Sequence, residues 1–177
     1  MNKLLACILV LVVAGAATAQ HLGPQAPPKS TPTVPPNVPD PDRQGGDTIA
    51  DATFILSIPY DDVGTTAGFN DDYDEVCPYV DSTSPDVVYV YVPDQTLDVD
   101  IDLCGSSYDT KVYVYEADLS LVACNDDFYF GEPCGLYVSK LEDVPLQDGE
   151  MYFIVIDGYG GDHGDYVLEI IPSPPCH

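Results

Sequence analysis

Side-chain oxygens are concentrated in three stretches of this chain: Asn70-Asp71-Asp72-Tyr73-Asp74, Asn125-Asp126-Asp127, and Asp157 with Asp162 and Asp165. Each stretch lies in a segment that also holds glycine or is flanked by cysteine, so the carboxylates sit where a loop can converge them. Calcium takes six to eight oxygen ligands from carboxylates, amides, backbone carbonyls and water, and clusters of Asp and Asn supply that set. Magnesium and transition metals fit less well. The competing reading of any single cluster is that Asn and Asp suit turns, because they tolerate left-handed backbone and cap their own loops. No stretch has the spacing of an EF-hand. Asp109-Thr110 is expected first to order a turn through its own hydrogen bonds, with a ligand role for Asp109 as the second reading.

Other chemistry finds less support. Beyond residue 19 the histidines are His21, His163 and His177, and two of these lie near the termini. A Ser-His-Asp triad would need His163, which falls in a Gly-rich polar turn, and no nucleophile-elbow motif is present. A paired-carboxylate glycosidase is compatible with so many acids, yet the absence of Trp leaves little sign of a sugar-binding cleft. The chain is therefore expected not to be an enzyme. A zinc site is a poor competitor, because no Cys-x-x-Cys or His pairing occurs.

The N-terminus reads as a secretory signal peptide over residues 1–19: Lys3, an apolar run from Leu4 to Val13, and small residues ending in Ala17-Thr18-Ala19. No later segment approaches the roughly 20 apolar residues of a membrane span. Export places the protein outside the cell or on its surface, where cysteines pair. Five remain after processing. Cys124 and Cys134 flank a short acidic loop, so the expected bridges are Cys124 to Cys134 and Cys77 to Cys104. Cys176 is left over, as a free thiol or an intermolecular tether.

After processing, four Lys and Arg face 30 Asp and Glu, a formal charge of −26. Coulomb repulsion on that scale excludes nucleic acid and an anionic membrane surface as partners. It also burdens a compact state unless cations offset it, which again favours calcium. Residues 20–46 are Pro-rich, with eight prolines between Pro24 and Pro41, and read as an extended linker or stalk.

From residue 47 to 171 the apolar period becomes two, most clearly in Leu97-Asp-Val99-Asp-Ile101-Asp-Leu103. Similar runs at 53–58, 87–92, 110–115, 119–124, 137–141, 151–156 and 166–171 make about eight strands. Their spacing, without any helical stripe, predicts an all-β, antiparallel, jelly-roll-like β-sandwich, followed by a tail over 172–177. The 13 tyrosines, mostly in strands, are expected to pack in the core and across strands, a sugar-binding aromatic platform being the alternative.

The run Cys104-Gly-Ser-Ser-Tyr-Asp109-Thr110-Lys-Val-Tyr-Val-Tyr115, then Cys124-Asn125-Asp126-Asp127, Cys134-Gly135 and the Asp157 to Tyr166 segment resemble the bacterial pre-peptidase C-terminal domain family over roughly 46–171. The resemblance implies a jelly-roll-like sandwich of secreted proteins that often binds calcium in its loops. In that family the module usually aids the secretion, stability or substrate attachment of a larger protein; standing here behind a Pro-rich linker, the chain is expected instead to be a non-catalytic module acting in extracellular binding or adhesion, toward a protein or polysaccharide. The alternatives are a fibre or surface-assembly subunit that contacts copies of itself through the N-terminal arm, and an accessory domain of a secreted hydrolase system.

Overall fold

The structure is a computed structural model that describes residues 45–79 and 83–174. The expected signal peptide over 1–19, nearly all of the expected Pro-rich linker over 20–46, Cys176, His21 and His177 lie outside the described residues.

Eleven strands follow a 3-10 turn at Ile49–Asp51: β1 (Thr53–Ile55), β2 (Tyr60–Thr65), β3 (Val87–Tyr91), β4 (Leu97–Asp102), β5 (Thr110–Glu116), β6 (Leu121–Asn125), β7 (Tyr129–Gly131), β8 (Gly135–Val138), β9 (Lys140–Leu146), β10 (Tyr152–Gly158) and β11 (Asp165–Pro172). They form a five-stranded sheet in the order β1-β3-β10-β5-β6, a four-stranded sheet in the order β2-β11-β4-β9, and a β7-β8 hairpin. Apart from the short parallel β1-β3 edge, the named pairs are antiparallel. The fold is an all-β sandwich.

The main core lies between the two large sheets. Val87, Tyr89 and Tyr91 of β3, Val112 and Val114 of β5, and Ile154 and Ile156 of β10 meet Val99 and Ile101 of β4, Val144 and Leu146 of β9, and Leu168 and Ile170 of β11. Each such side chain, fully withdrawn from water, contributes about 1.5–3 kcal/mol. The tyrosines do pack here: Tyr89 stands edge-on to Tyr60 and Tyr166, and its hydroxyl meets that of Tyr166 at 2.7 Å.

A second apolar layer covers the outer face of the five-stranded sheet, where Val88, Val90, Tyr113, Tyr115, Phe153 and Val155 pack with Ile49, Ala52, Tyr73 and Cys124. This explains why Val87–Tyr91 and Tyr152–Gly158 are buried at every residue and do not alternate. The acidic stretch around residues 70–79 lies over that layer. The Tyr113 hydroxyl lies 3.0 Å from the Tyr73 carbonyl, and Tyr115 donates its hydroxyl proton to Glu75 at 3.1 Å.

The bridges differ from the expected pairs. Cys77 is bonded to Cys124 and Cys104 to Cys134. The covering segment has to be fastened to the sheet beneath it, and β6 is that sheet's edge, so Cys77 meets Cys124. The turn after β4 meets the β7-β8 hairpin, where Gly105 donates to the Cys134 carbonyl at 3.0 Å, so Cys104 meets Cys134.

Three strand expectations also change. The 53–58 run stops at Ile55, and Tyr60–Thr65 forms a separate strand on the opposite sheet. The 119–124 run starts at Leu121, because Glu116 to Ser120 closes a turn with Leu119 at a φ of 66°. The 137–141 run breaks at Ser139, β8 joining the hairpin and β9 the four-stranded sheet. Pro145 is tolerated in β9 because that strand is an edge.

Candidate metal centre

Antiparallel pairing of β5 with β6, with Val112 opposite Asn125, brings the start of one strand beside the end of the other. Asp109 directly precedes β5, and Asp126 and Asp127 directly follow β6. One carboxylate oxygen from each of the three lies within 4.8 Å of the others. Oxygens bound to one calcium at 2.3–2.6 Å are separated by at most about 5 Å, so the grouping has the right size.

Ser139 holds the two halves together. Its hydroxyl lies between the carbonyls of Thr110 and Asp126 and shares its one proton with them, while its own N–H donates to Thr110 Oγ1 at 2.8 Å. Tyr159 N–H donates to the Asp109 carbonyl at 3.1 Å, which draws the turn between β10 and β11 toward the cluster. That turn runs through Gly160 and Gly161, both at positive φ, and carries Asp162.

Asp126 is 1% exposed, and neither of its carboxylate oxygens has a hydrogen-bond donor; Asp109 Oδ1 is buried in the same condition. A buried ionised carboxylate without donors is costly. Lys111 supplies a cation, but its Nζ is 4.0 Å from Asp126 and donates instead to the carbonyls of Tyr79 at 3.1 Å and Glu75 at 3.3 Å. One ammonium therefore faces three carboxylates. Burial first, then the charges of Asp126, Asp127 and Asp162, push the Asp109 carboxyl up to about 7 against the pull of Lys111. Burial pushes Asp126 up to about 6, with Lys111 opposing and Asp127 adding. A divalent cation seated there would offset the repulsion among the three carboxylates, and the donor set of hard oxygens suits calcium.

The remaining sequence candidates stand elsewhere. Asn125 turns its Oδ1 to the N–H of Lys140 at 3.2 Å and so pins β9. Asp157 is fully buried and accepts from Tyr113 Oη and Gly158 N, each at 2.7 Å. Asn70 donates to both oxygens of Asp47. Asp71, Asp72 and Asp74 lie on the covering segment, outside the group of three. Asp165 begins β11; its carbonyl accepts from the Ser107 N–H at 2.9 Å and its N–H donates to Ser107 Oγ at 3.0 Å. Asp109 departs from the turn-ordering role: Thr110 is the residue that bonds to Ser139, leaving the Asp109 carboxylate to the cluster.

Two further participants carry no sequence signal. Ser139 is a lone serine between two strands, and its clamp depends on where both strands end. Asp86 is fully buried, accepts at Oδ2 from the N–H groups of Asp72 at 2.8 Å and Tyr73 at 2.9 Å, and leaves Oδ1 without a donor. Burial first, then Asp157 and Asp72, push it up to about 9 against those two N–H groups. It anchors the covering segment.

No protein-family model matches this chain, and no curated protein does. Among solved structures, the pre-peptidase C-terminal domain of collagenase from Bacillus anthracis matches with a TM-score of 0.43 and 14% identity, over 67% of this chain and 92% of that one. No helix among the described residues is long and apolar enough to cross a membrane.

Proposed function

We propose that this chain is a secreted, non-catalytic β-sandwich module for extracellular binding or adhesion, stabilised by calcium held between Asp109, Asp126 and Asp127. The observation that carries the calcium reading is Asp126, 1% exposed, with two carboxylate oxygens that no donor reaches. The same burial argues against Asp126 itself as a glycosidase carboxylate, since a carboxylate closed to water is closed to a sugar. His163, exposed in its turn, has Nδ1 against the Gly161 carbonyl at 2.9 Å, which fits a turn role better than a catalytic one.

Calcium titration of the metal-free protein tests this. A saturable calorimetric signal that Asp126→Asn abolishes is expected; an unaltered signal in that variant moves the ion elsewhere, and no signal removes it. Binding to a panel of polysaccharides and extracellular proteins tests the adhesion reading. Hydrolysis of a peptide or glycan by the purified chain would overturn the non-catalytic one.

A further inference from the structure

Lys111 and Asp126 face each other across β5 and the end of β6. Val112 pairs with Asn125, so the next positions of the same register, Lys111 and Asp126, stand opposite and share a face of the sheet. Lys111 Nζ lies 4.0 Å from Asp126 Oδ2, and the two side chains are 0% and 2% exposed. No hydrogen bond joins them. The ammonium donates to the carbonyls of Glu75 and Tyr79, and neither Asp126 oxygen has a donor. A buried ion pair repays its desolvation only when its geometry is good and its remaining lone pairs are satisfied. This pair meets neither condition.

The surroundings close the pair to water and hold it in place. The covering segment reaches Nζ through the Glu75 and Tyr79 carbonyls, and the Cys77–Cys124 bridge fastens that segment to β6 just before Asp126. From the turn between β10 and β11, the Tyr159 ring centre lies 5.8 Å from Nζ, with Tyr79 edge-on to the same ring. Ser139 fixes the backbone carbonyls of Thr110 and Asp126. Asp109 sets a third carboxylate beside the pair, one of its oxygens within 4.8 Å of an Asp126 oxygen. An amine, a carboxyl group and a proton carrier are thus gathered in a site that excludes water, the by-product of joining the first two.

We infer that, when no ion is bound, Lys111 Nζ condenses with Asp126 Cγ into an amide that crosslinks β5 to the end of β6, and that calcium on the same carboxylate prevents it. The ammonium passes one proton to Asp126, and the amine left behind attacks Cγ, forming the C–N bond. Asp109 takes a second proton from that nitrogen and returns it to the departing Asp126 hydroxyl. The C–O bond breaks, one water leaves, and Asp109 is restored. Nothing is oxidised or reduced. Reacting atoms combine from roughly 3–3.5 Å, and the flexible four-carbon lysine stem closes the remaining gap. A calcium ion on Asp126 holds that carboxylate ionised and sets a like charge against the ammonium. The protection by calcium rests on the ion site proposed above; the crosslink needs only the pair and its surroundings.

Mass spectrometry tests this on the purified chain, stripped of metal and divided between chelator and calcium at matched ionic strength. After reduction and digestion, the chelator sample should yield a branched peptide joining Lys111 to Asp126, lighter by one water than its two parts. Its fraction should rise with time, and in calcium it should stay near zero. Lys111→Met should abolish it, and Asp109→Asn should slow it with Asp109→Glu restoring part of the rate. If Lys111→Met fails to fold, sequencing the branched peptide of the unaltered chain carries the test alone. Absence of that peptide in chelator, or a water loss that survives in Lys111→Met, would overturn the crosslink. Calorimetry on the freshly stripped chain separates the two readings. A calcium signal without any branched peptide keeps the ion and sinks the crosslink, whereas a branched peptide without a signal keeps the crosslink and sinks the ion. Equal crosslinking in both samples despite a signal would overturn the protection by calcium.

Discussion

Asp126 and Asp86 concentrate the charge strain of this molecule at single residues. Asp126→Asn removes one of three crowded carboxylates and should raise the melting midpoint of the metal-free protein, by on the order of 2 kcal/mol at pH 8, while abolishing the gain from calcium. Calorimetry of both proteins with and without the ion checks it. Ser139→Ala would leave the Thr110 and Asp126 carbonyls without their donor, at a cost of about 1–3 kcal/mol, and should weaken calcium binding without removing any ligand. Asp86 sets a pH dependence of its own. Its folded value of about 9 lies above the ordinary 3.8, so between those limits the native state holds a proton that the unfolded state has lost. Stability is then fully present below about pH 4 and falls as pH rises toward 9. Asp86→Asn, which keeps an acceptor for Asp72 and Tyr73, should flatten that fall; urea midpoints at pH 5 and pH 8.5 measure it. Asp109 and Asp126 move in the same direction when no cation is bound, so calcium should also flatten the profile.

At the scale of the element, the β7-β8 hairpin and the covering segment are each tied by one disulfide to a neighbour distant in sequence. Peptide mapping without reduction should recover Cys77 linked to Cys124 and Cys104 linked to Cys134. Recovery of Cys124 with Cys134 would break the arrangement described. The Cys104–Cys134 bridge closes a separation of 30 residues, and chain entropy makes such a loop worth about 3–4 kcal/mol. Replacing both cysteines by serine should lower the denaturation midpoint accordingly. Tyr137→Gly should leave stability nearly unchanged. Relief of a positive φ, worth roughly 1 kcal/mol or more, offsets a lost aromatic contact of about 0.5–1.5 kcal/mol.

For the whole molecule the dominant quantity is net charge, −25 over the chain. Screening by sodium lowers that repulsion generally, whereas an ion seated among three carboxylates acts at one place and at low concentration. Calcium at about one hundred times its dissociation constant should add roughly 2.7 kcal/mol. At matched ionic strength the melting temperature with calcium should exceed that with chelator. Equal gains from sodium and calcium would reduce the effect to screening.

The period-two runs determined the fold class by themselves, because one face of a strand must meet a core and alternation shows which. The same signal failed at Tyr60–Thr65, an edge strand with little apolar content, and at the 137–141 run, where two sheets claim halves of one apolar stretch. Composition raised calcium as one reading of the acidic clusters, beside a plain turn role, and Asp126 and Asp127 were visible as candidates. Only the tertiary structure groups carboxylates from different stretches. The pairing of β5 with β6 adds Asp109 to Asp126 and Asp127, while Asn125, Asn70 and Asp157 are taken up by other hydrogen bonds. Cysteine pairing likewise depended on the covering segment lying against the edge strand β6. Strand character is written in local alternation; ligand sets and bridges are properties of neighbours that only the closed sandwich brings together.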